Sequence, residues 1–89
     1  MFNAKDVSRR NFPVAMDGGL FLTTRVETLE NNGVQTIYQG FAYPGSQEED
    51  AVWMITQTVV DGGSVTTLFA DGSAKFDQVW DDRVTLEYA

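Results

Sequence analysis

The chain contains no cysteine and no histidine, two prolines, and six lysine and arginine residues against thirteen acids. Each shortage excludes something. Without cysteine no disulfide braces the fold, and without cysteine or histidine the usual zinc ligand sets are missing. The same absences remove the partners on which Ser–His and Cys–His nucleophilic catalysis is built. Ser64 and Ser73 lie in turn sequences with no imidazole to activate them. No run of about 18 apolar residues occurs, so nothing reads as a helical membrane span. Met1 to Gly19 lacks the continuous apolar stretch of a secretory signal; Phe2, Phe12, Val14 and Met16 stand apart.

The shortage of basic residues is unevenly placed. Residues 1–19 hold Lys5, Arg9 and Arg10 against Asp6 and Asp17, a sum of +1; residues 20–89 sum to −8, for a net charge of −7. Nucleic-acid binding rests on releasing counterions to basic side chains, so a body this acidic points away from DNA and RNA. With 89 residues the chain is one domain. A domain of this size buries only about 60–65% of the surface its unfolded chain exposes. With disulfides and zinc excluded, oligomerisation is the remaining support, and a homo-oligomer is expected.

What is present is β pattern. Residues 1–19 show neither helical nor strand period, and Pro13 disfavours helix at Phe12, so they read as an extended arm. Phe2, Lys5, Arg9, Arg10, Phe12 and Val14 are its candidate partner-binding residues. Docking on a neighbouring subunit and folding back on the same domain both remain open. Asp17-Gly18-Gly19 reads as a turn into the body, residues 20–89. From Leu20 the residues alternate: Leu20, Leu22, Thr24, Val26 and Thr28 on one face, Thr23, Arg25 and Glu27 on the other. Asn32-Gly33 signals a hairpin into a strand over Val34 to Ala42. Tyr43-Pro44-Gly45-Ser46 suits a type II turn, and Gln47 to Asp50 is an acidic loop or a single helical turn. A strand over Ala51 to Val60 places Trp53, Ile55 and Val59 on one face and Met54 and Val60 on the other. Asp61-Gly62-Gly63-Ser64 turns into a strand over Val65 to Ala70, and Asp71-Gly72-Ser73 turns again. Phe76, Val79 and Trp80 sit at helical spacing, which predicts one helical turn or an irregular core-plugging loop over Ala74 to Asp82. Val84, Leu86 and Tyr88 alternate as a last strand. The fold expected is all-β: a small antiparallel β-sandwich or barrel of about five strands with an extended N-terminal arm. Trp53, Ile55, Trp80, Val84 and Leu86 are its expected core.

Candidate chemistry is sparse. Asp71, Asp77, Asp81 and Asp82 lie close in sequence, but not at calcium-loop spacing. Trp53, Trp80, Tyr38, Tyr43 and Phe41 offer either a sugar-stacking platform or a core. Arg83 can lock a loop against a carboxylate or reach a neighbouring subunit. No catalytic, metal or cofactor residue is assigned, and the chain does not read as an enzyme.

Several runs resemble a family of short phage-encoded proteins. They are Tyr38, Gly40, Ala42, Pro44-Gly45, Ala51-Val52-Trp53, Ile55, Ala70-Asp71-Gly72, Phe76-Asp77, Val79-Trp80-Asp81-Asp82-Arg83, Leu86 and Tyr88, with Arg10-Asn11 and Pro13-Val14-Ala15 upstream. The Ala-Val-Trp and Trp-Asp-Asp-Arg runs are the most specific. The resemblance implies a phage structural-module product, with no catalytic residue to carry over. A small, cysteine-free β domain with a candidate docking arm fits a non-enzymatic virion protein assembled in the host cytoplasm, first of all an auxiliary capsid protein of the decoration or cement type, since a thin-cored domain gains stability from symmetric neighbours. Its partners would be other virion proteins, capsid or tail subunits, with no nucleic acid and no membrane. The alternatives are a component of the neck, tail or fibre, and a module binding a host glycan or protein. The acidic loop Gly45 to Asp50 departs from the family.

Overall fold

A computed structural model describes residues 16–17 and 20–89, with the backbone alone considered at Met16, Asp17 and Leu20. The N-terminal candidates Phe2, Lys5, Arg9, Arg10, Phe12 and Val14 lie outside the described residues. Strands β1 (Met16–Asp17) and β2 (Leu20–Phe21) pair antiparallel, Met16 opposite Phe21 and Asp17 opposite Leu20. The expected boundary at Gly19 lies outside the described residues. The expected first strand is broken at Leu22, beyond which β3 (Thr23–Asn31) begins.

The main sheet runs in the order β3, β4 (Val34–Ala42), β5 (Ala51–Asp61), β6 (Ser64–Phe69), every neighbour antiparallel. A short fifth strand, β7 (Gln78–Val79), joins β5 beside Ala51 and Trp53. This bears out the antiparallel, five-stranded all-β expectation. Turn chemistry sets the register. Asn32 and Gly33 take φ of +55° and +82°, the left-handed pair that matches the twist of a two-residue hairpin. The Pro44-Gly45 turn closes with the Ser46 N–H donating to the Tyr43 carbonyl at 3.2 Å.

Alternation divides the sheet into two faces. One is covered: Tyr38, Gly40 and Ala42 of β4 and Trp53 and Ile55 of β5 are buried on it. Its cover is not a second sheet but the C-terminal segment. After β7 a 3₁₀ turn, Trp80–Asp82, drops the Trp80 indole onto the sheet, and Leu86 and Tyr88 pack behind it. The Trp53 and Trp80 rings meet at 6.0 Å and the Tyr38 and Tyr88 rings at 5.9 Å, both tilted. Of the expected core, Trp53, Ile55 and Trp80 are buried and Leu86 packs against them.

Two expectations are corrected. The stretch Val84–Tyr88 is not a strand. Arg83–Thr85 is a turn, in which Thr85 N–H donates to the Asp82 carbonyl, and only a bridge between Ala70 and Tyr88 survives. Val84 is therefore not core but 59% exposed. The reason is local: the Trp80 and Asp82 carbonyls accept from the Arg83 and Thr85 N–H groups, so the chain turns here and Val84 faces outward.

Candidate assembly surface

On the covered face, polar side chains finish what the aromatics begin. Arg83 lies over the Trp80 ring at 4.6 Å, and its Nε donates to Glu27 Oε1 at 2.7 Å across the sheet. A second guanidinium repeats the arrangement. Arg25 lies over the Trp53 ring at 5.4 Å and donates from Nε to Glu48 Oε2 at 2.7 Å. Each arginine thus lids one tryptophan and ties it to a carboxylate on another segment. For Arg83 the structure places the partner within the subunit. Its stacking on Trp80 is worth about 0.5–1 kcal/mol at a partly exposed site; the ion pairs mainly orient it, since half-exposed pairs are screened.

Electrostatics follow from this geometry. The hydrogen bond from Arg83 lowers the Glu27 carboxyl below its ordinary 4.5, and the same bond raises Arg83. Burial pushes the Tyr88 hydroxyl up to about 12, with Arg83 pulling the other way. That hydroxyl donates to the Arg83 carbonyl at 2.7 Å, holding the far side of the Arg83 turn. The acidic loop is part of the same frame. The Gln47 carbonyl accepts from Trp53 Nε1 at 2.9 Å, and the Glu48 carbonyl accepts from the Asp81 N–H at 3.1 Å.

The other candidates are dispersed. Asp71 and Asp77 meet only through Gln78, whose amide donates to both at 2.9 and 3.1 Å. Asp81 and Asp82 sit in the 3₁₀ turn. Among the described residues no group of three or more acidic side chains is placed to hold a metal ion. The aromatic platform is divided: Trp53, Trp80 and Tyr38 are core, while Tyr43 stacks at 5.8 Å on Phe76 at the edge.

The opposite face has no cover among the described residues. It presents Thr24, Val26, Thr28 and Glu30 of β3; Gln35, Ile37, Gln39 and Phe41 of β4; Met54, Thr56, Thr58 and Val60 of β5; and Val65, Thr67 and Phe69 of β6. Registers align them in cross-strand rows, such as Val26–Gln39–Thr56–Phe69 and Thr28–Ile37–Thr58–Thr67. Glu30, beside the hairpin tip, is the single charge among them. Val26 and Val65 are 53% and 66% exposed. Thr56, in the middle, is buried with its hydroxyl unpartnered. Sequence reading separates these rows but does not mark this face as the open one. The signal lay in the pairing of Arg25 and Glu27 with partners distant in sequence.

Comparison with protein-family models, curated proteins and solved structures finds no match to this chain.

Proposed function

We propose that this protein is a non-enzymatic structural component of a phage particle, an auxiliary capsid protein that docks on neighbouring subunits through the open face of its sheet. The observation that carries the docking is the composition of that face. A body of net −8 keeps all of its acids but Glu30, beside the hairpin tip, off the strands of one broad face and fills that face with threonine, glutamine and half-exposed aliphatic and aromatic side chains. Depletion of charge at the centre of a patch is the mark of protein–protein interfaces. A face kept for water alone would be expected to carry part of the chain's acidic surplus.

The particle itself is supported by the resemblance of the Ala51-Val52-Trp53 and Trp80-Asp81-Asp82-Arg83 runs to short phage proteins. Both runs are structural in this fold: Trp53 and Trp80 form the core and Arg83 lids it. That fits a family whose shared residues hold a scaffold while the exposed face sets the partner. The N-terminal residues Phe2, Lys5, Arg9, Arg10, Phe12 and Val14 would add a second attachment, basic where the body is acidic. A neck, tail or fibre position uses the same surface. Stacking of a host glycan is the weaker reading, because the two tryptophans that would form its platform are buried.

Quantitative mass spectrometry of purified particles tests the proposal. A stoichiometric, many-copy presence is expected; absence from particles, with the protein found only in the infected-cell lysate, would overturn it. Binding on a glycan array would move the assignment to host recognition.

A further inference from the structure

The two edges of the main sheet differ in how they are guarded. The outer strand β3 carries Arg25, Glu27 and Glu30, charges that discourage an incoming strand. The other edge is β6, Ser64-Val65-Thr66-Thr67-Leu68-Phe69, with no charge, no proline and two β-branched threonines. Such a segment is the kind that accepts another strand.

Which backbone groups are free on that edge is fixed by its neighbours. Phe69 exchanges both hydrogen bonds with Ala89, at 3.1 and 3.0 Å, so its N–H and C=O point away from β5. Ala70 N–H donates to the Ile55 carbonyl at 3.0 Å and points toward it. Directions alternate along a strand, so Val65 and Thr67 also aim their N–H and C=O outward. Among the described residues no strand pairs with them. The edge already takes an antiparallel partner one step further on, where Ala89 meets Phe69 and the Asp71 N–H donates to the Glu87 carbonyl at 2.8 Å.

We propose that β6 pairs antiparallel with β6 of a second copy of this chain, about a two-fold axis beside Val65. An antiparallel strand is self-complementary under a two-fold, so one edge serves both partners. Charge argues for a copy as the occupant: β6 is neutral where the opposite long edge, β3, is charged, so two of these acidic chains meet along β6 without like charges on the facing strands. The register follows from the obstacle. With the axis at Thr66, the second copy's Gly63 would take the place of Ala89 opposite Phe69. With the axis at Val65, the second copy's strand ends opposite Thr66 and leaves Ala89 clear. Val65, 66% exposed, then faces its own copy and the row Val60–Val65 continues across the seam. The two open faces join into one surface of double width. The seam is short, below the roughly 1,000 Å² of a tight interface, so the dimer forms with rising concentration. It stands whether or not the open face binds a virion protein.

The test uses the full chain. Because it has no cysteine, Val65→Cys introduces a unique thiol at the axis. The two Cα atoms would sit about 5.5 Å apart, within disulfide range. Under mild oxidation Val65→Cys should give a disulfide-linked dimer at least tenfold faster than Val26→Cys, a site on the opposite edge strand that is also more than half exposed. Sedimentation equilibrium of the unmodified chain should show mass rising from 9.9 kDa towards twice that value. Val65→Lys should abolish that rise, and Val26→Lys should keep it. Equal cross-linking rates, or a dimer lost equally with either lysine, would overturn the edge pairing; the second outcome would indicate face-to-face association instead. A chain that stays at 9.9 kDa with no preferential cross-link would also refute it.

Discussion

Replacing Gly40 with alanine adds one methyl group at the tightest point of the packing. Gly40 lies in mid-β4, opposite Arg25 on one side and Ile55 on the other. A Cβ built there would stand 2.5 Å from Trp80 Cε3, 2.8 Å from Trp80 Cζ3 and 3.1 Å from Trp53 Cε3. Carbon atoms in van der Waals contact sit near 3.5–4.0 Å, so the Trp80 ring must retreat by about an ångström. It has little room to do so, with Arg83 stacked on it and held by Glu27. Insertion of a methyl into a packed core costs about 1–3 kcal/mol. In a domain of this size each 1 kcal/mol lowers Tm by about 4–8 °C. Urea unfolding followed by tryptophan fluorescence should therefore show a clearly lowered midpoint for Gly40→Ala with an unchanged m-value. The control is Gly63→Ala, where a Cβ meets nothing within 4 Å; it should stay within about 0.5 kcal/mol of wild type. A Gly40→Ala midpoint equal to wild type would show that Trp80 does not rest on β4, and the account of the covered face would fail.

Trp80→Ala should cost about 3–5 kcal/mol in the same assay, the range for emptying a buried aromatic site, whereas Val84→Ser should stay within about 0.5 kcal/mol because Val84 is exposed. A large loss at Val84 would restore it to the core. The Glu27 carboxyl is depressed in the folded state, so its contribution is present above its ordinary 4.5 and fades as pH falls through the lower folded value. Thermal melts of Glu27→Gln should lie below wild type at pH 7 and converge with it in acid; parallel curves would exclude the pair as the source. Tyr88 is shifted the other way: its contribution is full below 10.0 and is lost as pH rises to about 12. Tyr88→Phe, which also loses the bond to the Arg83 carbonyl, about 1 kcal/mol, should remove that alkaline fall; an unchanged alkaline profile would contradict the burial of the hydroxyl.

The strand sequence was legible because turns and alternation are local signals. Asn32-Gly33, Pro44-Gly45 and Gly62-Gly63 each mark a turn found in the structure, and β4, β5 and β6 begin and end within a residue of their expected limits. The C-terminal third was less so. Val84, Leu86 and Tyr88 alternate in sequence, but the Asp82–Thr85 turn bends the chain before a ladder can form. Which face of β3 is covered was hidden for a different reason. Its covered row, Thr23-Arg25-Glu27, is the polar one, and it is acceptable there only because Glu48 and Arg83 arrive from positions 23 and 56 residues away. Long-range compensation of this kind leaves no local pattern. The same blindness applies to the candidate site: the open face is defined by what, among the described residues, does not cover it.

The central claim is that the open face of the sheet attaches the protein to a particle. Val26→Lys tests it most directly, because Val26 is 53% exposed on that face and a lysine there leaves the covered core untouched. Copy number in purified particles, measured by quantitative mass spectrometry beside an unaltered thermal melt, is the readout. The account expects the wild-type chain in many copies per particle and the variant depleted at least tenfold. Equal incorporation of the two would contradict it.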